Sequence, residues 1–336
     1  MSKAFNPDAL FLSLFAFVRT GVLKAAVDLE LFTHIAHGKR SAEDIARAAY
    51  ADERAVRILL DALVAQELLT KGNDGYGLTP AAAQLLVKDS PLYAGGFTRI
   101  TANPRIWLAI GQLSEIARTG KPPEAMVEVP EHDFWVEFSE ASEQTSQVAA
   151  GLVADLLPLA SDTPVNVLDV ACGSGVYGFT VLERYPQARV TSLDWQNVLD
   201  HARKVAERRG VADRVSWLPG SAFEAPLPAA HFDAVLASHF YHHFPPAQNI
   251  ELSARFFRTL KPGGRLIVHD FVADDARAAR EDALLFAVVM LASTPRGDVY
   301  TLPEYRDMLE AAGFAEITLT PVPLVGTYVI QAVRPQ

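Results

Sequence analysis

The stretch "VLDVACGSGVYG", residues 167–178, decides the fold. It begins inside a short apolar run, "VNVLDVA" (165–171), which reads as a buried strand. Gly173 and Gly175 let the backbone turn tightly and come close to a ligand, and Gly178 allows close helix–sheet packing. A helix is expected next, near 175–185. Strand, glycine turn and helix in this order is a weak signal alone, because many nucleotide sites share it.

Two acids sharpen it. Asp169 sits on the strand just before the glycines, and Asp194 ends the next strand, 19 residues past Gly175. A spacing of about 20 suits a carboxylate that accepts hydrogen bonds from ribose hydroxyls. A carboxylate at Asp169 would repel a pyrophosphate and attract an α-amino group. That points away from a dinucleotide. It points toward a cofactor with an adenosine ribose and a cationic amino end, S-adenosylmethionine.

Outward from this turn, strands and helices alternate. Strands are expected at 165–171, 188–194, 214–220, 232–238 and 264–270, with helices near 175–185, 197–209 and 246–260. This is an α/β, Rossmann-like parallel sheet wound on both faces. Two more helices, near 280–292 and 302–312, and two late strands, "AEITLTPV" and "YVIQAVR", follow.

The first part of the chain reads differently. Residues 9–37 carry apolar and small residues at helical spacing, and Gly38 is a stop signal. Helices at 42–49 and 52–66, with a capping-box pattern at Ser41 and Asp44, precede a hairpin around Asn73-Asp74-Gly75. Together they form a winged helix. Its second helix is apolar and its wing carries one lysine, Lys71, where a reader of DNA shows a basic footprint. Packing and dimerisation are favoured over DNA binding. Residues 98–160 are expected to be mostly helical, with Phe134, Trp135 and Phe138 near the start of a helix running to about 157. The expected divisions are 1–97, 98–160 and 161–336.

The totals fit this layout. At roughly 100–200 residues per domain, 336 residues suggest two domains. The formal net charge of −10 disfavours nonspecific attraction to nucleic acid or anionic membrane. A single cysteine, Cys172, excludes an internal disulfide framework and fits a reducing cytoplasm. The longest early apolar stretch, "ALFLSLFAFV", falls short of the about 20 residues that span a bilayer.

"VLDVACGSGVYG" resembles motif I of class I S-adenosylmethionine-dependent methyltransferases, and "LKPGGRLIVHD" (260–270) resembles their segment leading into the fifth strand. The whole layout resembles the plant caffeate-type O-methyltransferases and their bacterial natural-product relatives. "GSAFEAPLP" and "MLASTPRGDVYTLPEYRDMLEAAGF" (290–314) are similar to further segments of that family. The resemblance implies a homodimer through the N-terminal domain, a small-molecule acceptor, and S-adenosylmethionine converted to S-adenosylhomocysteine. It implies cofactor contacts at Asp169, Gly173, Gly175, Asp194, Trp195, Ser221, Ala222, Phe223 and Ser238. Acceptor contacts are implied at Phe138, Ser142, Met290 and Thr294.

The family's general base follows the fourth strand, and that register gives His242 within "SHFYHHF" (238–244). A neutral imidazole near pH 7 has the base strength to take a phenol's proton. Asp270 matches a flanking carboxylate that fixes the imidazole tautomer. The second family acid falls on Val299, with Asp298 beside it as a substitute. Ser221, Ser238 and Ser142 stand where the family has an acid, a lysine and a methionine. These departures leave S-adenosylmethionine binding expected but keep other readings open. His242 could be a pocket wall rather than the base. The chain could methylate carbon or nitrogen, or use the cofactor passively. A third reading is a winged-helix regulator. No metal is expected at His239, His242 and His243, because a strand-to-loop path points neighbouring side chains apart.

Overall fold

The computed structural model describes residues 7–157, 164–323 and 326–336. They fall into two compact units, 1–104 and 105–336. The expected division at 160/161 lies outside the described residues.

In the first unit the N-terminal helical run is broken into α1 (Pro7–Leu14), α2 (Ala16–Asp28) and α3 (Leu31–Ala36). Glu30, with φ 51°, makes one of the breaks. Then come α4 (Ala42–Ala48), α5 (Glu53–Ala65), the hairpin β1 (Leu69–Gly72) and β2 (Gly75–Leu78), and the short helices α6 (Pro80–Leu85) and α7 (Thr98–Thr101). The hairpin is antiparallel, with Gly72 opposite Gly75, as the Asn-Asp-Gly signal requires. Asp52 caps α5 by accepting from the Ala55 amide at 2.8 Å. Val56, Leu60 and Leu63 recur on one face of α5 and are buried with Phe32, Ile35, Ile45 and Tyr76.

The second unit opens with α8 (Pro104–Ile110), α9 (Leu113–Thr119), α10 (Asp133–Ser142) and α11 (Gln147–Leu156). The single helix expected to 157 is thus two, joined by a turn in which the Ser146 amide still donates to Ser142 O at 3.0 Å. The alternating part follows as β3 (Val165–Val170), α12 (Val176–Arg184), β4 (Ala188–Asp194), α13 (Gln196–Arg208), β5 (Val215–Pro219), β6 (Phe232–Ser238), α14 (Pro246–Thr259) and β7 (Leu260–Asp270). The chain ends with β8 (Val272–Ala273), α15 (Glu281–Ser293), β9 (Tyr300–Thr301), α16 (Leu302–Ala311), β10 (Ala315–Pro321) and β11 (Tyr328–Val333).

Seven strands form one sheet in the order β10-β11-β7-β6-β3-β4-β5. β11 runs antiparallel to both its neighbours, and the other pairings are parallel. Both faces are covered, which is why β3 reads as a continuous apolar run rather than an alternating one. Val167 joins Phe179 and Leu199 on one side, and Leu168 joins Leu252 and Phe256 on the other. The parallel order reverses direction on either side of β3. The loops after β3 and β6 therefore diverge and leave a crevice at the carboxyl ends of the strands, where such sheets bind ligands.

Candidate active site

The turn after β3 is built on backbone conformations that glycine favours. Gly173 has φ 56° and Gly175 φ 78°. At Gly175 an added Cβ would meet the Phe179 ring at 2.2 Å, so shape and conformation both require glycine. Gly178 sits against Asp169, whose Oδ2 accepts the Gly178 amide at 3.0 Å. Asp169 is 1% exposed and lies beneath the turn. Burial pushes its carboxyl up to about 8, against the pull of that amide. Through the Gly178 amide it braces α12 on the sheet.

Asp194, at the end of β4, holds the other side of the turn. Its Oδ2 accepts the Gly173 amide at 2.9 Å and its Oδ1 the Trp195 amide at 2.7 Å. Burial raises it to about 6, with the two amides opposing. Beyond β5, the Ser221 hydroxyl accepts the Phe223 amide at 3.2 Å, and Arg255 donates to Ala222 O at 3.0 Å. These bonds set the loop that carries Ser221, Ala222 and Phe223, three of the expected cofactor contacts.

β6 ends at Ser238 and feeds a turn at 241–243. Tyr241 anchors it: the side chain is fully buried and its hydroxyl bonds with Ser253 at 2.9 Å. Asn249 donates to Tyr241 O at 2.9 Å and Phe244 O at 3.1 Å. β7 lies alongside in a register that pairs Ser238 with His269. Asp270 therefore comes next to the histidine loop.

The His242 Nδ1 and Asp270 Oδ1 are 2.6 Å apart. Asp270 also accepts from the Phe271 amide at 2.9 Å, the Tyr305 hydroxyl at 3.2 Å and the His242 amide at 3.3 Å. Burial alone would raise this carboxyl. The neighbouring His242, by charge and hydrogen bond, helped by His239 and the Phe271 amide, instead holds it down to about 2. An ionised carboxylate only accepts, so His242 must carry its proton on Nδ1, leaving Nε2 as the basic nitrogen. Phe286 packs edge-on to His242 at 4.9 Å and stacks on Phe271 at 4.1 Å. His243 is edge-on to Trp135 at 5.3 Å.

Neighbouring histidines do not all point apart. His239, at φ 51°, folds back so that its Nδ1 lies 3.9 Å from Asp270 Oδ1. His239, His242 and Asp270 bring one ligand atom each within 4.8 Å of one another. The 2.6 Å between Nδ1 and Oδ1 is a hydrogen-bond distance. Two ligands each about 2 Å from one zinc ion in tetrahedral geometry stand further apart.

Asp298 takes a different place from the one its sequence position suggests. Its carboxylate lies 3.6 Å from Arg277 and accepts the Val299 amide at 2.7 Å, while its own amide donates to His242 O at 3.0 Å. It positions the His242 loop through its backbone. Phe138 and Ser142 line a crevice with Ser238 and the glycine turn. Met290 and Thr294 are buried, and the Thr294 hydroxyl donates to Met290 O at 2.8 Å and accepts from the Gly297 amide at 2.7 Å. Thr294 thus shapes the end of α15.

Residues 126–315 match the O-methyltransferase domain, and residues 11–88 match the O-methyltransferase dimerisation domain. The chain belongs to the O-methyltransferase family. This O-methyltransferase is similar to the tetracenomycin polyketide synthesis 8-O-methyl transferase of Streptomyces glaucescens, at 30% identity over 94% of this chain and 93% of that one. It is 29% identical to the 3-hydroxy-5-methyl-1-naphthoate 3-O-methyltransferase of Streptomyces sahachiroi, over 89% and 87% of the two chains. A solved structure from Nostoc punctiforme PCC 73102, named as a candidate O-methyltransferase, superposes with a TM-score of 0.91 at 34% identity, covering 98% of this chain and 100% of that one.

Several residues at the methyltransferase site escaped the sequence reading. Tyr305 lies in an ordinary amphipathic helix, and Phe286 in an apolar one, with nothing local to mark either. Tyr177 stands inside the quoted glycine stretch, yet its hydroxyl reaches His269 Nδ1 at 2.7 Å, 92 residues away. Such pairings are set by sheet order, which local pattern does not encode.

Proposed function

We propose that this O-methyltransferase moves the methyl group of S-adenosylmethionine onto a phenolic hydroxyl of a small aromatic or polyketide-like molecule, with His242 as general base. The observation that carries the reading is the His242–Asp270 pair, buried at 2.6 Å beside the cofactor end of the sheet.

The crevice fits the cofactor. Gly173 opens the turn at its floor. Asp194 stands one strand over with acceptor capacity left on each oxygen. The Ser139 hydroxyl is fully buried without a hydrogen-bond partner, 3.9 Å from where a Cβ of Gly173 would stand. When bound, S-adenosylmethionine supplies a methyl carried on a positively charged sulfur. The protein's own work is to orient and to take a proton. Asp270 fixes the His242 tautomer, and Nε2 accepts the acceptor's hydroxyl proton as the oxygen becomes a nucleophile. The imidazolium so formed lies against an ionised carboxylate. The aromatic wall of Phe286, Trp135 and Phe138 suits a flat ring and keeps water from the reacting atoms.

The same reading makes the protein a homodimer working in the cytoplasm. Leu10, Phe11, Leu12, Leu14, Phe15 and Phe17 of the first unit are each more than half exposed, an apolar surface of the kind partners cover. Nucleic acid is not a partner in this reading, because Arg57 and the wing's Lys71 are both engaged by Asp61, at 3.0 Å and 2.6 Å, and the chain as a whole carries a net charge of −10. Among the described residues no helix is long and apolar enough to cross a membrane.

The test is methyl transfer from labelled S-adenosylmethionine to a panel of phenols, wild type against His242→Ala. Loss of a positioned base costs about 10²–10⁴-fold in rate. Full activity in the variant would remove His242 from the role of base, and transfer only to carbon or nitrogen acceptors would remove the hydroxyl.

A further inference from the structure

The crevice beside the glycine turn has an unusual lining. Ser139, Ser142 and Ser146 recur at helical spacing along α10 and the turn after it, a row of hydroxyls on one face. Ser142 and Ser146 border a pocket of about 40 Å³ together with Gly173, Tyr177, Ser238 and His239. No lysine or arginine is among the described residues that line it.

Two groups in this lining can answer an anion. The first is Tyr177, whose hydroxyl meets His269 Nδ1 at 2.7 Å and interacts with Ser146 and Ser238. His269 Nε2 in turn meets Thr327 Oγ1 at 2.7 Å. Burial holds His269 neutral, its pKa pushed far down, so it carries one ring proton and two tautomers satisfy the chain. In one, Tyr177 donates to His269. In the other, Thr327 donates to Nε2 and the Nδ1–H donates to Tyr177, whose own O–H is then free to donate into the pocket.

The second group is His239. Its ring lies 4.5 Å from that of His269, 6.0 Å from that of His242 and 5.9 Å from that of Phe271. Its Nδ1 is 3.9 Å from the Asp270 carboxylate. Burial pushes its pKa down to about 4, with Asp270 pulling up and His242 pushing down. It is also held at φ 51°, in the left-handed region that a residue other than glycine enters at a cost.

We propose that this pocket anchors the α-carboxylate of the cofactor without a permanent cation: Tyr177 donates to it through the second tautomer, and His239 takes up a proton from solvent as the carboxylate arrives. The proposal rests on the S-adenosylmethionine reading above. An anion within about 4–6 Å raises an imidazole pKa by about 1–3, and the upper end of that range brings His239 from about 4 to near 7. Cofactor binding is then linked to proton uptake, and it tightens as pH falls toward 6.

The test is calorimetric binding to the full-length protein at pH 6.5, in buffers of different ionisation heat. The two ligands are S-adenosylhomocysteine and its decarboxylated analogue, which keeps the amine and loses only the carboxylate. Wild type should take up roughly half a proton or more with S-adenosylhomocysteine and none with the analogue. Tyr177→Phe should weaken S-adenosylhomocysteine by about tenfold, the worth of a hydrogen bond to a charged group, and leave the analogue within about twofold. His239→Asn, chosen because asparagine tolerates a left-handed backbone, should abolish the uptake. Unchanged binding of the analogue reports that each variant is folded. Absence of proton uptake in wild type, or equal weakening of both ligands by the variants, would overturn the proposal. Failure of both ligands to bind wild type would overturn the cofactor reading and the proposal with it.

Discussion

Asp169 and Asp270 are both buried aspartates at the carboxyl edge of the parallel strands of one sheet, yet one is held near 8 and the other near 2. Asp194 stands between them at about 6. Desolvation pushes all three upward, so the difference lies in what each carboxylate accepts. Asp169 has one backbone amide, Asp194 has two, and Asp270 has two amides, a tyrosine hydroxyl and an imidazole that can carry charge. At the cofactor end the acids brace a turn. Beside His242 the acid is kept ionised, and it thereby dictates which nitrogen of that imidazole holds the proton.

The hardest blow to that contrast is Asp270→Asn. The amide can donate to Nδ1 as well as accept from it, so it no longer dictates the tautomer. We expect kcat to fall on the order of 100-fold, with cofactor affinity little changed, because the variant keeps shape and loses only proton placement. Steady-state kinetics beside direct cofactor binding would check it. An unchanged kcat would reduce Asp270 to a packing residue and erase the distinction between the two ends.

Asp169→Asn probes the other end. The folded-state pKa is raised from 3.8 to about 8, so the protonated form is the stabilising one. Its contribution is complete below about pH 4 and is lost as pH rises through 8. Between pH 5 and pH 9 this amounts to about 4 kcal/mol, so cofactor-free wild type should melt on the order of 10 °C lower at pH 9 than at pH 5, on the scale of about 2–4 °C per kcal/mol for larger domains. Asparagine cannot ionise, so the variant should lose most of this dependence. Parallel pH slopes for the two proteins would show that Asp169 is solvated or already ionised in the fold.

The two ends also differed in how much the sequence disclosed. The glycine turn was legible because its requirements are local: positive φ at Gly173 and Gly175, close approach at Gly178, and an acid one strand further on. The sheet was legible for a similar reason, since fully buried strands repeat a simple apolar pattern. His242 and Asp270 could be placed by resemblance alone, because the turn that presents His242 depends on Tyr241, Asn249 and the register of β6 on β7. The fold-back of His239 and the turning of Asp298 toward Arg277 were not legible. Both follow from backbone geometry that side-chain chemistry does not announce. The single helix expected to 157 breaks after Ser142, where a run of polar residues gave no stop signal.

The finest probe of the comparison is Tyr305→Phe. The Tyr305 hydroxyl donates to Asp270 Oδ2 at 3.2 Å, on the oxygen that His242 Nδ1 does not use. Removing it deletes one neutral hydrogen bond to an ionised group in a fully buried place, while the ring still fills its site. A hydrogen bond to a charged group is worth about 1.5–3 kcal/mol, a change of roughly tenfold or more. If Asp270 works by staying ionised, that loss should appear in kcat and leave the affinity for the acceptor unchanged. If Tyr305 only packs, kcat should hold and the melting temperature alone should fall. The split between kcat and melting temperature therefore decides whether the hydrogen bonds around Asp270 serve the reaction or only the fold.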